Sequence, residues 1–244
     1  MTSIRTLNKK KIFFKNNGVV VFRSLFSKKL IRNCLQELDK FNKKKIKKNA
    51  NIVIDTSHKK KYVRYFQYLN THIRSFEQFL NNELLSLSSY LLNNKCYYSS
   101  MGYHNKTPGA KLTPPHQDNF YWCRKPNKAL TAYVALNSHS SKNGGIKYYL
   151  KSHKLKTFSH KSSKIKAFSS FIDEKKIPKL KIFRPKLKTG DVIFHHCNII
   201  HSANGNMHKT RDRKALAISI YSLKSKIDPI MKKKYLKNRS LTET

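Results

Sequence analysis

Thr113-Pro-Pro-His116-Gln117-Asp118 is the run from which the rest of the chain is read. Consecutive prolines hold the backbone extended on its approach to His116. On a strand end, residues two apart share a face, so His116 and Asp118 point together and Gln117 turns away. Two histidines and one carboxylate are the ligand set that grips a ferrous ion on one side and leaves the other open. A second histidine must therefore come from a distant strand. His201 is placed for this in Gly190-Asp-Val-Ile-Phe-His195-His196-Cys-Asn-Ile-Ile-His201-Ser202-Ala-Asn204. Chance supplies a lone His-x-Asp readily, so the ordered context carries the argument.

A chain of 244 residues suits one well-buried domain. Its hydrophobic fraction of 39%, with 14 Phe, 13 Tyr, 7 Gly and 7 Pro, fits a packed core. No apolar run is long enough to span a bilayer. Cys34, Cys96, Cys123 and Cys197 are far apart, which excludes a zinc knuckle and a secreted disulfide framework and makes a reducing cytoplasm the expected setting. The Gly18-Val-Val-Val-Phe22 run ends at Arg23 and lacks a cleavage-site pattern, so it is a poor signal peptide.

Lys+Arg number 52 against 12 Asp+Glu, a formal net charge of +40. Such a field attracts phosphates, nucleic acids and acidic surfaces, so a nucleic-acid-binding protein without catalysis is the alternative reading. No RRM, KH or zinc-finger signature accompanies the charge. The lysines are spread along the chain, as a solvated surface requires.

Residues 1–16 read as a basic, irregular segment, 17–222 as the domain, and 223–244 as a basic tail. Gly18–Phe22 reads as a short strand. A helix capped by Ser27 should follow, with Leu30, Ile31, Cys34, Leu35, Leu38 and Phe41 at helical spacing up to the lysine cluster at 43–48. A second helix is expected from Thr71 to Tyr90, its stripe of Ile73, Phe76, Phe79, Leu80, Leu84 and Leu87 packing in the core. Short strands then follow at Cys96–His104, Leu130–Leu136, Gly145–Leu150, Asp191–His195 and Ala215–Tyr221. Asn143-Gly-Gly145 reads as a hairpin-type turn and Thr189-Gly-Asp191 as a tight corner. Helices followed by antiparallel strands predict a mainly β protein with flanking helices: a double-stranded β-helix, or jelly-roll, core.

These residues resemble the phytanoyl-CoA dioxygenase-like family of Fe(II)/2-oxoglutarate oxygenases. The likeness runs from about residue 11 to 222 through Asn17-Gly-Val-Val-Val-Phe-Arg-Ser-Leu-Phe-Ser27, Asn105-Lys-Thr-Pro108, His116-Gln-Asp-Asn-Phe-Tyr-Trp122, Leu130-Thr-Ala-Tyr-Val-Ala-Leu136, Asn143-Gly-Gly145, Gly190-Asp-Val-Ile-Phe-His-His196, His201-Ser-Ala-Asn204 and Arg213-Lys-Ala-Leu216. The resemblance implies that His116, Asp118 and His201 bind Fe(II), with 2-oxoglutarate and O2 taking the open positions. It implies an arginine for the distal carboxylate of 2-oxoglutarate, a fork-to-fork match. Arg213 fits the family position, and Arg211 stays close enough to compete. Tyr133, Thr131 and the hydroxyl of Ser202 are the further co-substrate candidates. Iron binding by His195 or His196 is not expected, while His104 and His208 are candidates for lining the substrate pocket.

The chain departs from the family in having Leu150-Lys-Ser-His153 where Pro-Gly-Ser-His is common, which predicts a looser turn, and Ala203 where a small hydroxyl residue is common. Asp118 fills the position that halogenating relatives leave small, so the resemblance implies hydroxylation of an unactivated C–H bond, with 2-oxoglutarate converted to succinate and CO2. Substrate walls are expected from residues 42–70 and from the lysine-rich insert 151–186. The implied substrate is a small molecule of secondary metabolism, anionic or carrier-tethered.

Overall fold

The computed structural model describes residues 3–43, 52–55, 62–165 and 168–243. Along the chain run α1 (Ile4–Asn17), β1 (Val19–Phe22), α2 (Lys28–Lys43), β2 (Ile52–Asp55), β3 (Tyr62–Gln67), α3 (Leu69–His72), α4 (Asn82–Leu92), β4 (Cys96–Lys106), β5 (Thr113–His116), α5 (Asp118–Trp122) and β6 (Arg124–Lys125). They are followed by β7 (Ala129–Ala135), β8 (Ile146–Tyr149), β9 (Lys161–Ile165), β10 (Phe168–Phe171), β11 (Ile182–Phe183), β12 (Val192–His196), β13 (His201–Ala203), β14 (Arg213–Ser222), β15 (Lys226–Ile227) and α6 (Pro229–Glu243).

Every residue of β7 is buried, which requires both faces of its sheet to be covered. β7 lies within a seven-stranded antiparallel sheet of order β1-β12-β7-β14-β4-β3-β2. Leu130, Ala132 and Val134 face the helices, packing in one core with Ile31, Phe76, Phe79 and Leu84. Tyr133 and Ala135 alternate to the other face and pack with Ile146 and Tyr148 of the second sheet, β11-β8-β13-β5. Two antiparallel sheets thus face each other, with helices behind the larger, as the jelly-roll expectation requires. Full burial of a Phe or Leu stabilises by about 1.5–3 kcal/mol each, so the helical layer contributes much of the stability.

Ser27 starts α2 as expected, its Oγ accepting from Leu30 N at 3.1 Å. The lysine cluster at 44–48 lies outside the described residues. The single helix expected over 71–90 is instead three pieces: α3, a 3-10 turn over Arg74–Phe79, and α4. Asn81 breaks it, since its Oδ1 accepts from Leu84 N at 2.9 Å and so caps a new helix. The apolar stripe is core all the same: Ile73, Phe76, Phe79 and Leu84 are buried, with Leu80 and Leu87 packed against them.

The N-terminal segment is not irregular. Ser3 caps α1, which ends at Gly18 in the left-handed region (φ 79°) and buries Phe14. Residues 223–244 likewise include a helix, α6, whose Tyr235 packs edge-on against Phe120 and Tyr121. The Asn143-Gly-Gly145 turn is present, but it joins β7 to β8, which lie in different sheets, so it closes no hairpin. Gly190 makes the tight corner before β12 (φ 90°).

Candidate active site

Strands β5 and β13 pair antiparallel with His201 directly opposite His116. That register brings the two imidazoles to 4.1 Å between ring centroids. Asp118 begins α5, just past the strand, and not the strand end that the sequence suggests. The turn still swings its Oδ1 to 3.9 Å from His116 Nε2 and 3.7 Å from His201 Nε2. The three groups offer ligand atoms within 4.8 Å of one another. Gln117 faces away, its side chain donating to Asn198 O (2.7 Å) and accepting from Phe158 N (2.7 Å).

Backbone carbonyls fix the ring orientation of both histidines: His116 Nδ1 lies 3.0 Å from Pro114 O and His201 Nδ1 lies 3.1 Å from Ile199 O. With Nδ1–H donating to each carbonyl, the Nε2 lone pairs face Asp118, the tautomer a metal needs. Burial keeps both rings neutral, holding His116 well below the usual imidazole range and His201 down at about 4. Burial works to raise the Asp118 pKa, but His201, His195 and His116 overcome it and keep the carboxylate ionised. The donor set therefore fits a divalent ion.

A cavity of about 390 Å³ is lined by this cluster together with Arg64, Tyr65, Tyr121 and Trp122. Arg213 lines it, buried, with its Nη1 donating to Tyr133 Oη at 2.7 Å and its Nε without a partner. No acidic side chain forms an ion pair with Arg213 among the described residues. A buried guanidinium facing a cavity in this state fits an incoming carboxylate. Arg211, the competing candidate, is exposed and turned to His208. Thr131 also lines the cavity, its Oγ1 donating to Asp118 Oδ2 at 2.6 Å. Ser202 lies between His201 and Ala203 on β13, with its hydroxyl near the Tyr149 phenol.

Two features escaped the sequence reading. Lys106, buried at 5% exposure, stands opposite Arg213 in the β4–β14 register and lines the same cavity. Its Nζ donates to Asn204 O (2.8 Å) and Thr113 Oγ1 (3.2 Å), and burial with Arg213 and Arg64 nearby lowers its pKa to about 6. The signal lay in register, which the sequence does not print. His195, weighed only as a ligand, instead bonds Asp118.

His196 turns to the opposite side, against Phe14 and His153. His104 lines the cavity, whereas His208 does not. Arg64, Tyr65 and Gln67 bring part of the 42–70 segment to the wall, but none of the described residues of 151–186 reaches it. That insert includes the β9–β10 hairpin, which packs against α6 and against β5, the edge strand of the smaller sheet, where Ile172 N donates to Pro115 O at 2.7 Å.

The family profile of phytanoyl-CoA dioxygenase (PhyH) matches residues 14–215. The chain belongs to the phytanoyl-CoA dioxygenase family. No curated protein matches it. Among solved structures, the epimerase SnoN in complex with Fe3+, alpha ketoglutarate and nogalamycin RO superposes with a TM-score of 0.76 at 17% identity, covering 93% of this chain and 88% of that one. EctD from S. alaskensis with 2-oxoglutarate and 5-hydroxyectoine gives a TM-score of 0.73 at 18% identity, over 93% and 78% of the two chains. EvdO2 from Micromonospora carbonacea var. aurantiaca, complexed with 2-oxoglutarate, gives 0.73 at 14% identity over 94% of each. These similarities show that this family member shares their jelly-roll fold. No helix among the described residues is long and apolar enough to cross a membrane.

Proposed function

We propose that this family member is a ferrous-iron and 2-oxoglutarate-dependent dioxygenase that hydroxylates an unactivated C–H bond of a small molecule, in secondary metabolism. The observation that carries the reading is one cavity lined by both the His116–Asp118–His201 cluster and the buried, acid-free Arg213. His116, Asp118 and His201 would hold the iron. Arg213 would take the distal carboxylate of 2-oxoglutarate, with Tyr133 orienting the guanidinium and the Lys106 amine standing beside it as a further hydrogen-bond donor. Iron and 2-oxoglutarate, when bound, supply with O2 the oxidising power for C–H cleavage, yielding succinate and CO2. The chain's own task is to orient and to keep water out, which needs no general acid or base. The alpha ketoglutarate or 2-oxoglutarate bound in each of these structural neighbours supports the co-substrate.

Arg64 and Arg213 against the single carboxylate of Asp118 make the cavity wall cationic, which supports an anionic or carrier-tethered substrate. The test is anaerobic addition of Fe(II) and 2-oxoglutarate, with a weak visible charge-transfer band expected and lost in His201→Ala. Arg213→Met should weaken 2-oxoglutarate about 10- to 100-fold, the loss of about 1.5–3 kcal/mol expected for hydrogen bonds to a charged group. Succinate formation against a metabolite panel then identifies the substrate. Salt-sensitive binding of arbitrary nucleic acid with no band and no succinate would favour the reading from charge alone.

A further inference from the structure

Asp118 is held from behind by side chains other than the proposed metal ligands. Tyr148 on β8 stands opposite His201 in register and is fully buried. Its hydroxyl lies 3.0 Å from His195 Nδ1, and His195 Nε2 lies 3.1 Å from Asp118 Oδ2. The ionised Asp118 carboxylate can only accept, so the His195 nitrogen that faces it, Nε2, carries the ring hydrogen and Nδ1 is left to accept from the Tyr148 hydroxyl. A neutral imidazole that accepts at Nδ1 carries its hydrogen on Nε2, and that hydrogen points at the carboxylate. Thr131, the direct cross-strand partner of His195, donates to the same Oδ2 at 2.6 Å. Both neighbours converge on Oδ2, while Oδ1 is the oxygen that faces His116 and His201.

We infer that His195, oriented by Tyr148, is a positioning residue that occupies Asp118 Oδ2 and so confines the carboxylate to one-oxygen coordination through Oδ1. This rests on the metal-site reading above and deepens it. A carboxylate that swung to chelate through both oxygens would fill a position that the co-substrate or oxygen requires. His195 is thereby assigned to the carboxylate and not to the metal, although its ring lies 4.6 Å from that of His201.

The experiment uses Co(II) as the probe in the full-length protein. In unmutated protein, hyperfine-shifted NMR should show two exchangeable imidazole signals, from the Nδ1–H groups of His116 and His201. His195→Leu should weaken Co(II) binding about 10- to 100-fold and shift the visible Co(II) bands as Oδ2 becomes free to chelate. His195→Gln, which restores an N–H donor, should recover most of the affinity and the native bands. Tyr148→Phe should show a smaller loss in the same direction, and it carries the test if His195→Leu fails to fold by circular dichroism. Unchanged affinity and bands in the folded variants overturn the inference while leaving the metal site standing. A third exchangeable signal does the same, by making His195 a ligand. Failure of the unmutated protein to bind Co(II) at all overturns both this inference and the metal-site reading.

Discussion

Lys151 occupies the turn where the family commonly has glycine, and it keeps the glycine's conformation: φ is 69° and ψ is −7°. For an L-residue the left-handed region costs about 1–2 kcal/mol, partly offset because glycine loses more chain entropy on folding. The turn tolerates this because Ser152, fully buried, ties it to the metal-site strand: its Oγ donates to Tyr149 O (2.6 Å) and accepts from Ile200 N (2.8 Å), next to His201. The looser turn expected from the missing Pro-Gly is therefore not what forms, since one serine closes it. Lys151→Gly should stabilise the protein by about 0.5–1 kcal/mol, read as a raised denaturant midpoint at unchanged slope. Ser152→Ala should cost about 1–3 kcal/mol, because it strands a buried amide at the approach to His201. A neutral outcome for Ser152→Ala would show that the turn is held by something else. Asp191 makes a comparable tie at the start of β12, accepting from Arg23 (2.6 Å), Ser24 N (3.0 Å) and Lys188 N (2.8 Å).

At the scale of elements, the sequence is most legible where a strand alternates between unlike environments. β7 is the example: Leu130, Ala132 and Val134 face the helices, while Thr131 and Tyr133 face the cavity. Its place could be read, and so could the approach of Pro114-Pro115 to His116, because proline limits the backbone locally. What could not be read is pairing. That Lys106 stands beside Arg213, and His195 beside Thr131, follows from registers set by tertiary packing. β2 and β3 were hidden for another reason: the Tyr62–Gln67 alternation sits against a lysine run that reads as loop. The 71–90 break was visible in principle, since Asn81-Asn82 is a capping signal inside a continuous apolar stripe. Gly190 shows how one position fixes an element. It has φ 90°, its carbonyl accepts from Phe26 N at 3.1 Å, and a Cβ there would run into the Phe26 carbonyl oxygen. Gly190→Ala should thus misplace the β1–α2 connection and destabilise by more than about 2 kcal/mol, with chemical denaturation as the measurement. If the variant unfolds at the native midpoint, the close approach is not a constraint.

For the whole molecule, the net charge of +40 sets a self-repulsion that weakens the folded state and that salt screens. Buried histidines add a pH dependence of separate origin. His139 and His160 are held neutral chiefly by burial, with pKa values lowered to about 3 and about 4. His160 Nε2 accepts from Gln117 N at 3.2 Å, so protonation would set two donors against each other. Once the chain unfolds, each returns to about 6.5. Between that value and the folded pKa the unfolded state binds the extra protons, so stability rises with pH there. Their contribution is therefore fully present above about pH 6.5 and is lost as pH falls toward 4. Urea midpoints should decline over that window both at low salt and at 1 M salt, where the Debye length is only about 3 Å. Surface repulsion should fade with salt, lifting the whole curve, while the slope from buried imidazoles remains. His139→Gln should flatten part of that slope. A profile level from pH 6.5 to 4 at high salt would assign the acid sensitivity to surface charge and not to the buried rings.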